Sequence, residues 1–170
     1  AMGIVGPLSL VFSAVGNICS GGGGARAARA LGSGDRYKVN MIFTIADLHL
    51  PLGIDRPMDV FGSRWESYVE RLEKNWQDVV KPEDTVILPG DFSWATYIEE
   101  AKADFDYLEN LNGKKIILKG NHDYWWTTMS KMNEFVESNG YKTVSFMHNN
   151  SFEAEGVSIC GTRGWLYPGF

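Results

Sequence analysis

Cysteine is scarce in this chain of 170 residues: Cys19 and Cys160 are the only two, and they form no CxxC or other metal-binding spacing. A thiolate metal site and a disulfide framework are therefore set aside, and free thiols in a reducing, cytoplasmic compartment are the simplest reading. Basic excess is lacking too. The formal net charge is −5 and the isoelectric point about 5.2, which argues against non-specific nucleic-acid binding, since that needs a basic face. A long hydrophobic run is also missing. Ile4–Cys19 is apolar but interrupted by Gly6, Pro7, Ser9, Ser13, Gly16 and Asn17, short of the ~20 residues a membrane helix requires. Charge is absent altogether from Ala1–Ala25, so the basic start of a signal peptide is not there. Nine of the nineteen glycines fall in residues 1–40, four of them in the run Gly21–Gly24. Residues 1–40 are accordingly expected to be a flexible or non-native extension joined by a glycine linker.

What the chain does have is apolar mass. Hydrophobic residues make up 44% and charged residues 22%, with six Trp, seven Tyr and nine Phe. That composition supports a buried core rather than disorder. From Met41 onward the pattern is regular. Met41–Ala46 (MIFTIA), Thr85–Leu88 (TVIL) and Lys115–Leu118 (KIIL) are short apolar runs of buried-strand length. Between the first two, Trp65, Tyr68, Val69, Leu72, Trp76, Val79 and Val80 recur at helical spacing, opened by a Ser63/Glu66 capping pair and followed by Pro82. Between the second and third, Thr96 and Glu99 repeat the capping pattern, Ile98, Ala101, Phe105, Leu108 and Leu111 form an apolar face, and Gly113 is a stop signal. A third helix is expected over Thr128–Asn139, with Met129, Met132, Phe135 and Val136 inward and Gly140 ending it. Shorter strands are expected near Thr143–Phe146, Ser151–Glu155 and Val157–Cys160.

Strands alternating with helices predict an α/β fold of parallel βαβ units, with helices packed on the sheet. Ligands of such sheets bind at the carboxyl ends of the strands. Polar residues stand there: Asp47-Leu48-His49 after the first strand, Gly90-Asp91 after the second, Gly120-Asn121-His122-Asp123 after the third. Asp and His together suit divalent ions such as Mn, Fe, Zn or Co. In Asp47-x-His49 both side chains reach one point only if the strand curls into its loop. Asp91 has two oxygens and could bridge two ions, and Asn121 offers a neutral carbonyl oxygen. Any one of Asp47, Asp91 and Asn121 alone reads better as a turn or cap residue. All three, with His49 and His122 beside them, read as a site.

The three motifs in this order and spacing, from Met41 to about Pro168, resemble the calcineurin-like metallophosphoesterase superfamily. The stretches Gly90–Ala95 and Gly161–Trp165 are similar to a bacterial branch of predicted phosphohydrolases. The resemblance implies two divalent ions (Mn, Fe, Zn, Co or Ni). Asp47 and His49 would hold the first, Asp91 would bridge, and Asn121 would hold the second. His122 would act as general acid or charge stabiliser toward the leaving group and phosphate, oriented by Asp123. The implied reaction is attack of a metal-activated water on a phosphate ester. Asn121, His122 and Arg163 would touch substrate, although for Arg163 a structural ion pair weighs as much.

Departures from the family pattern shape the expectations. Trp94 stands where many members carry an acid. The later histidines of the family, ending in G-H-x-H, do not occur: beyond His49 and His122 the chain has only His148, which reads as a surface or strand-end residue. The expectation is therefore the amino-terminal half of a layered phosphoesterase fold, residues 41–170, with the carboxy-terminal half absent and metal occupancy partial. Two alternatives remain open. One is a non-catalytic fragment or pseudoenzyme that self-associates through an exposed sheet edge; the other is a phosphodiesterase or nuclease of the same superfamily. A haloacid-dehalogenase-type phosphatase is disfavoured, because its D-x-D nucleophile motif would need Asp at position 49. Tyr124, Trp125 and Trp126 are expected in the core, and Asp55, Arg56 and Asp59 in a solvated loop.

Overall fold

A computed structural model describes residues 40–56 and 58–163. The expectation for residues 1–40 thus lies, apart from Asn40, outside the described residues, as do Gly164 and Trp165. Among the described residues no helix is long and apolar enough to cross a membrane.

Four parallel strands form the main sheet in the order β1-β2-β3-β4: β1 Ile42–Thr44, β2 Thr85–Leu88, β3 Lys114–Leu118 and β4 Val144–Met147. Helices α1 (Tyr68–Val79), α2 (Lys102–Asn110) and α3 (Met129–Asn139) connect successive strands. The expected βαβ architecture is therefore present. An antiparallel hairpin of β5 (Asn150–Ala154) and β6 (Val157–Gly161) follows. It turns through Glu155 and Gly156, both with positive φ.

Alternation along each strand divides the sheet into two faces. Val86, Leu88, Ile117, Val144 and Phe146 join Trp76, Phe105, Leu108 and Met132 of the helices in one core. Ile87, Ile116 and Met147 are buried on the opposite face. There the hairpin comes close: a Cβ on Gly161 would lie 2.4 Å from Met147 Sδ. Phe105 is the hub of the first core, with ring centroids 4.9 Å from Phe92, 5.3 Å from Trp125 and 5.4 Å from Phe135. Burying such a side chain contributes roughly 1.5–3 kcal/mol. Phe92 follows Asp91 and Trp125 follows Asp123, so the same core that stabilises the fold anchors the polar loops.

Several local expectations need correction. The first strand is shorter than Met41–Ala46 and lies at the sheet edge, so Met41 and Ile45 are exposed rather than buried. Ser63 opens only a short 3-10 turn, Ser63–Trp65. Helix α1 begins after Ser67, a left-handed residue whose side chain caps nothing. Val79 points outward, being 58% exposed. In the second pair the acid that caps is Glu100, which accepts from Thr96 N and Tyr97 N, rather than Glu99. For α3 the signals agree with the structure: Thr128 caps Lys131 N, and Gly140 ends the helix in the left-handed region.

Candidate metal centre

The backbone leaves the strands in a conformation that side chains rarely adopt. Asp47, His49 and Asp91 have φ of 59°, 47° and 53°. Non-glycine residues with such angles concentrate where function holds them. This is the curl that the Asp47-x-His49 spacing demanded. The loops after β1 and β2 run side by side through Asp47 N to Gly90 O, His49 N to Asp91 O and Leu50 N to Phe92 O. On the other side of Asp91, the turn after β3 approaches so closely that only glycine fits. A Cβ on Gly90 would meet Gly120 Cα at 2.4 Å, and one on Gly120 would meet Asp91 Oδ1 at 2.1 Å.

The approach gathers His49, Asp91 and His122, whose ligand atoms all lie within 4.8 Å of one another. Asp91 Oδ2 is the common point, 2.8 Å from His122 Nδ1 and 3.8 Å from His49 Nε2. Asp47 Oδ1 lies 3.8 Å from the same His49 nitrogen, on a side chain that is 66% exposed. Asn121 is exposed, with its side-chain amide 3.1 Å from His122 Nδ1. All five residues named from the sequence therefore meet at one end of the sheet. His49 Nδ1 is buried and unpartnered, a polar atom left over within a carboxylate–imidazole cluster. Mixed oxygen and nitrogen donors at these separations fit a first-row divalent ion bound at about 2.0–2.2 Å.

Asp123 differs from its expected role. Its carboxylate is fully buried, and its hydrogen bonds go to other groups than the His122 ring. Oδ2 accepts from Asp91 N at 2.8 Å and Gly120 N at 2.7 Å, and Oδ1 accepts from Phe92 N at 2.9 Å and Trp125 Nε1 at 3.0 Å. Burial pushes this carboxyl above the usual range, while the four N–H donors oppose the shift. It is Asp91 that holds His122, through the ring and through its Oδ1, which accepts His122 N at 2.9 Å. Asp123 ties the β2 and β3 loops together, because a central carboxylate satisfies buried amides of two loops at once.

Four residues acquire places that sequence patterns did not reveal. Trp94 stacks on His49 with centroids 4.4 Å apart and planes 20° apart, and its indole N–H reaches Met58 Sδ at 2.9 Å. Its only signal in the sequence was that it replaced an acid. Tyr68 donates to His49 O at 2.7 Å; its place on an apolar helix face hid that. Asp104, buried in α2, accepts from Leu52 N at 2.8 Å and from Ser93 Oγ, so it links the loops after β1 and β2. Burial raises its carboxyl to about 7. Tyr124 lies outside the core, 58% exposed and 6.3 Å from the His122 ring, unlike buried Trp125 and part-buried Trp126. Arg163 and His148 lie away from this cluster, around a separate cavity. Asp55 and Arg56 are exposed, as expected of a solvated loop.

An uncharacterized protein of Methanocaldococcus jannaschii is 34% identical over 107 residues, which is 63% of this chain and 54% of the relative. A crystal structure of a protein of unknown function from Aquifex aeolicus aligns with a TM-score of 0.44 at 24% identity, over 69% of this chain and 56% of that one. The chain thus spans about half the length of each of these relatives. The calcineurin-like phosphoesterase profile matches residues 41–169. The chain belongs to the calcineurin-like phosphoesterase family.

Proposed function

We propose that this chain supplies one side of a metal-dependent phosphoester hydrolysis site, with Asp47, His49, Asp91 and Asn121 as ligands and His122 as proton donor. The observation that carries the reading is the meeting of His49, Asp91 and His122 at three adjacent strand ends. A divalent ion held there supplies Lewis acidity toward phosphoryl oxygens and activates water.

The chain's own residues do the rest. Asp91 Oδ2 accepts the hydrogen bond of His122 Nδ1–H at 2.8 Å and leaves Nε2 for a leaving-group oxygen, to which the ring donates a proton when both of its nitrogens are protonated. The His122 side chain is 40% exposed, so a substrate can reach it. Trp94 fixes the plane of His49 by stacking, and Asp123 keeps the loops in register. The ester class, the choice of metal, with manganese the first to try, and the number of ions belong to the same proposal.

The second reading, a non-catalytic chain associating through its sheet edge, draws on the exposed Met41 and Ile45 beside β1. One titration separates the two. Manganese binding to the chain, followed by electron paramagnetic resonance, should weaken about 10–100-fold in His49→Ala and Asp91→Asn. In His122→Ala, which keeps the four proposed ligands, it should weaken less than in Asp91→Asn, and the loss of the ring should show as slower aryl-phosphate hydrolysis at saturating manganese. Equal manganese affinity in wild type and Asp91→Asn sinks the hydrolase reading and leaves the second.

A further inference from the structure

The hydrogen-bond ladder that carries two of the proposed ligands is left unfinished by the backbone and completed by a side chain. The loops after β1 and β2 run in parallel through Asp47 N to Gly90 O, His49 N to Asp91 O, Leu50 N to Phe92 O and Trp94 N to Leu50 O. Pro51 comes next, and it has no N–H to continue the ladder. The following donor, Leu52 N, turns away and donates to Asp104 Oδ1 at 2.8 Å. On the other loop the Ser93 hydroxyl donates to Asp104 Oδ2, while Ser93 Oγ accepts Ala95 N at 3.0 Å. One carboxylate thus forms the last rung between the two loops.

Asp104 is placed to hold that rung firmly. It is fully buried in the first turn of α2, where an acid ordinarily interacts with its own helix terminus. Both of its side-chain hydrogen bonds nevertheless go to the loops. A buried carboxylate needs donors to satisfy it, and here the donors come from the two segments that carry His49 and Asp91. The next residue, Phe105, packs on Phe92 in the aromatic core. Gly53, beside Leu52, approaches α2 so closely that a Cβ would collide with Glu100 O. The strain to be held sits at the ligands themselves. Asp47, His49 and Asp91 have left-handed φ, a conformation that persists only where the surroundings over-determine it. Tyr68 of α1 adds a restraint of its own by donating to His49 O.

We propose that Asp104 is a positioning residue for the metal centre: by joining Leu52 to Ser93 it keeps His49 Nε2 and Asp91 Oδ2, 3.8 Å apart, in place for a divalent ion. It acts through the loops rather than through a bond to the ion, since Leu52 follows His49 and Ser93 follows Asp91 within a few residues. The inference rests on the ligand set of the proposed hydrolase site.

The test is manganese binding to the whole chain, followed by electron paramagnetic resonance, with circular dichroism to show that each variant is folded. Asp104→Leu removes both arms of the rung and should weaken binding about tenfold, the lower end for partners of metal ligands. Asp104→Asn can accept from Leu52 N and donate to Ser93 Oγ, so it should stay within about threefold of wild type. Ser93→Ala cuts only the arm to the β2 loop and should fall between the two; it carries the test if Asp104→Leu does not fold. Asp84→Asn separates positioning from stability alone. Asp84 is a buried carboxylate at the opposite end of β2, accepting Met41 N at 2.7 Å and Lys81 N at 2.8 Å. Its variant loses buried hydrogen bonding but should bind manganese like wild type. Wild-type affinity in Asp104→Leu, or in Ser93→Ala where Asp104→Leu does not fold, overturns the inference. So does a failure of Asp104→Asn to restore binding, or an equal loss in Asp84→Asn. The hydrolase reading is judged at Asp91→Asn. If that variant binds manganese like wild type, the reading and its positioning residue fall together. A weakened Asp91→Asn beside an unchanged Asp104→Leu removes the positioning role alone.

Discussion

Replacing Asp123 with the isosteric Asn tests how the site is held together. Oδ2 accepts Asp91 N and Gly120 N, and Oδ1 accepts Phe92 N, Trp125 Nε1 and, at 3.5 Å, Ser93 N. An amide has one carbonyl oxygen. Whichever way it is turned, its NH2 faces two or three donors, and at least two buried N–H groups lose their acceptor. At about 1–3 kcal/mol for each buried group left unpaired, the loss is about 2–6 kcal/mol, the upper figure assuming strict additivity. That is a large part of the 5–15 kcal/mol typical of a domain. In urea, with a slope of about 1–3 kcal/mol/M, the midpoint should fall by about 1 M or more with the slope unchanged. Asp47→Asn is the control. Its side chain is 66% exposed and its φ of 59° suits Asn, so its midpoint should not move while manganese binding weakens. A midpoint for Asp123→Asn within about 0.3 M of wild type, on the same slope scale, would show that Asp123 is not the tie between the β2 and β3 loops.

Asp104 makes stability depend on pH. Its folded value of about 7 against an ordinary 3.8 means that the native state keeps a proton which the unfolded chain has released. Stability from this group is therefore full below about 4, falls as pH rises toward 7, and levels off above. Asp104→Asn can accept from Leu52 N and donate to Ser93 Oγ, so urea midpoints across that window should flatten; a slope equal to wild type would assign the dependence to other groups. Gly120→Ala places a Cβ 2.1 Å from Asp91 Oδ1 and 2.3 Å from Asp91 N. It should cost about 1–3 kcal/mol and weaken manganese binding to the level of Asp91→Asn; wild-type manganese affinity in a folded Gly120→Ala chain would remove Asp91 from the ligand set.

The parts of this protein that were legible in its sequence are those whose signals are local. Apolar runs of three residues (Val86–Leu88 and Ile116–Leu118) define β2 and β3 because burial on both faces leaves few polar positions, Thr85 and Lys115 being the buried exceptions. Thr128 and Gly140 bound α3 because capping and left-handed turns act within one helical turn. Asp47, His49, Asp91, Asn121 and His122 could be named because parallel strands deliver whatever follows them to one edge. Capping pairs failed at Ser63 and Thr96, where tertiary contacts moved the helix starts to Tyr68 and Lys102. The partners of Asp123, the stacking of Trp94 on His49, the bond from Tyr68 to His49 O and the burial of Asp104 all join residues far apart in the chain. No periodicity encodes them. They depend on how closely the loops after β1, β2 and β3 approach, a distance set by glycine contacts and by Phe92 and Trp125 seated in one aromatic core. The sequence by itself therefore determined which chemistry stands at the sheet edge. Only the tertiary packing decided which atoms touch, because contact energies are set by distances that the order of residues does not contain.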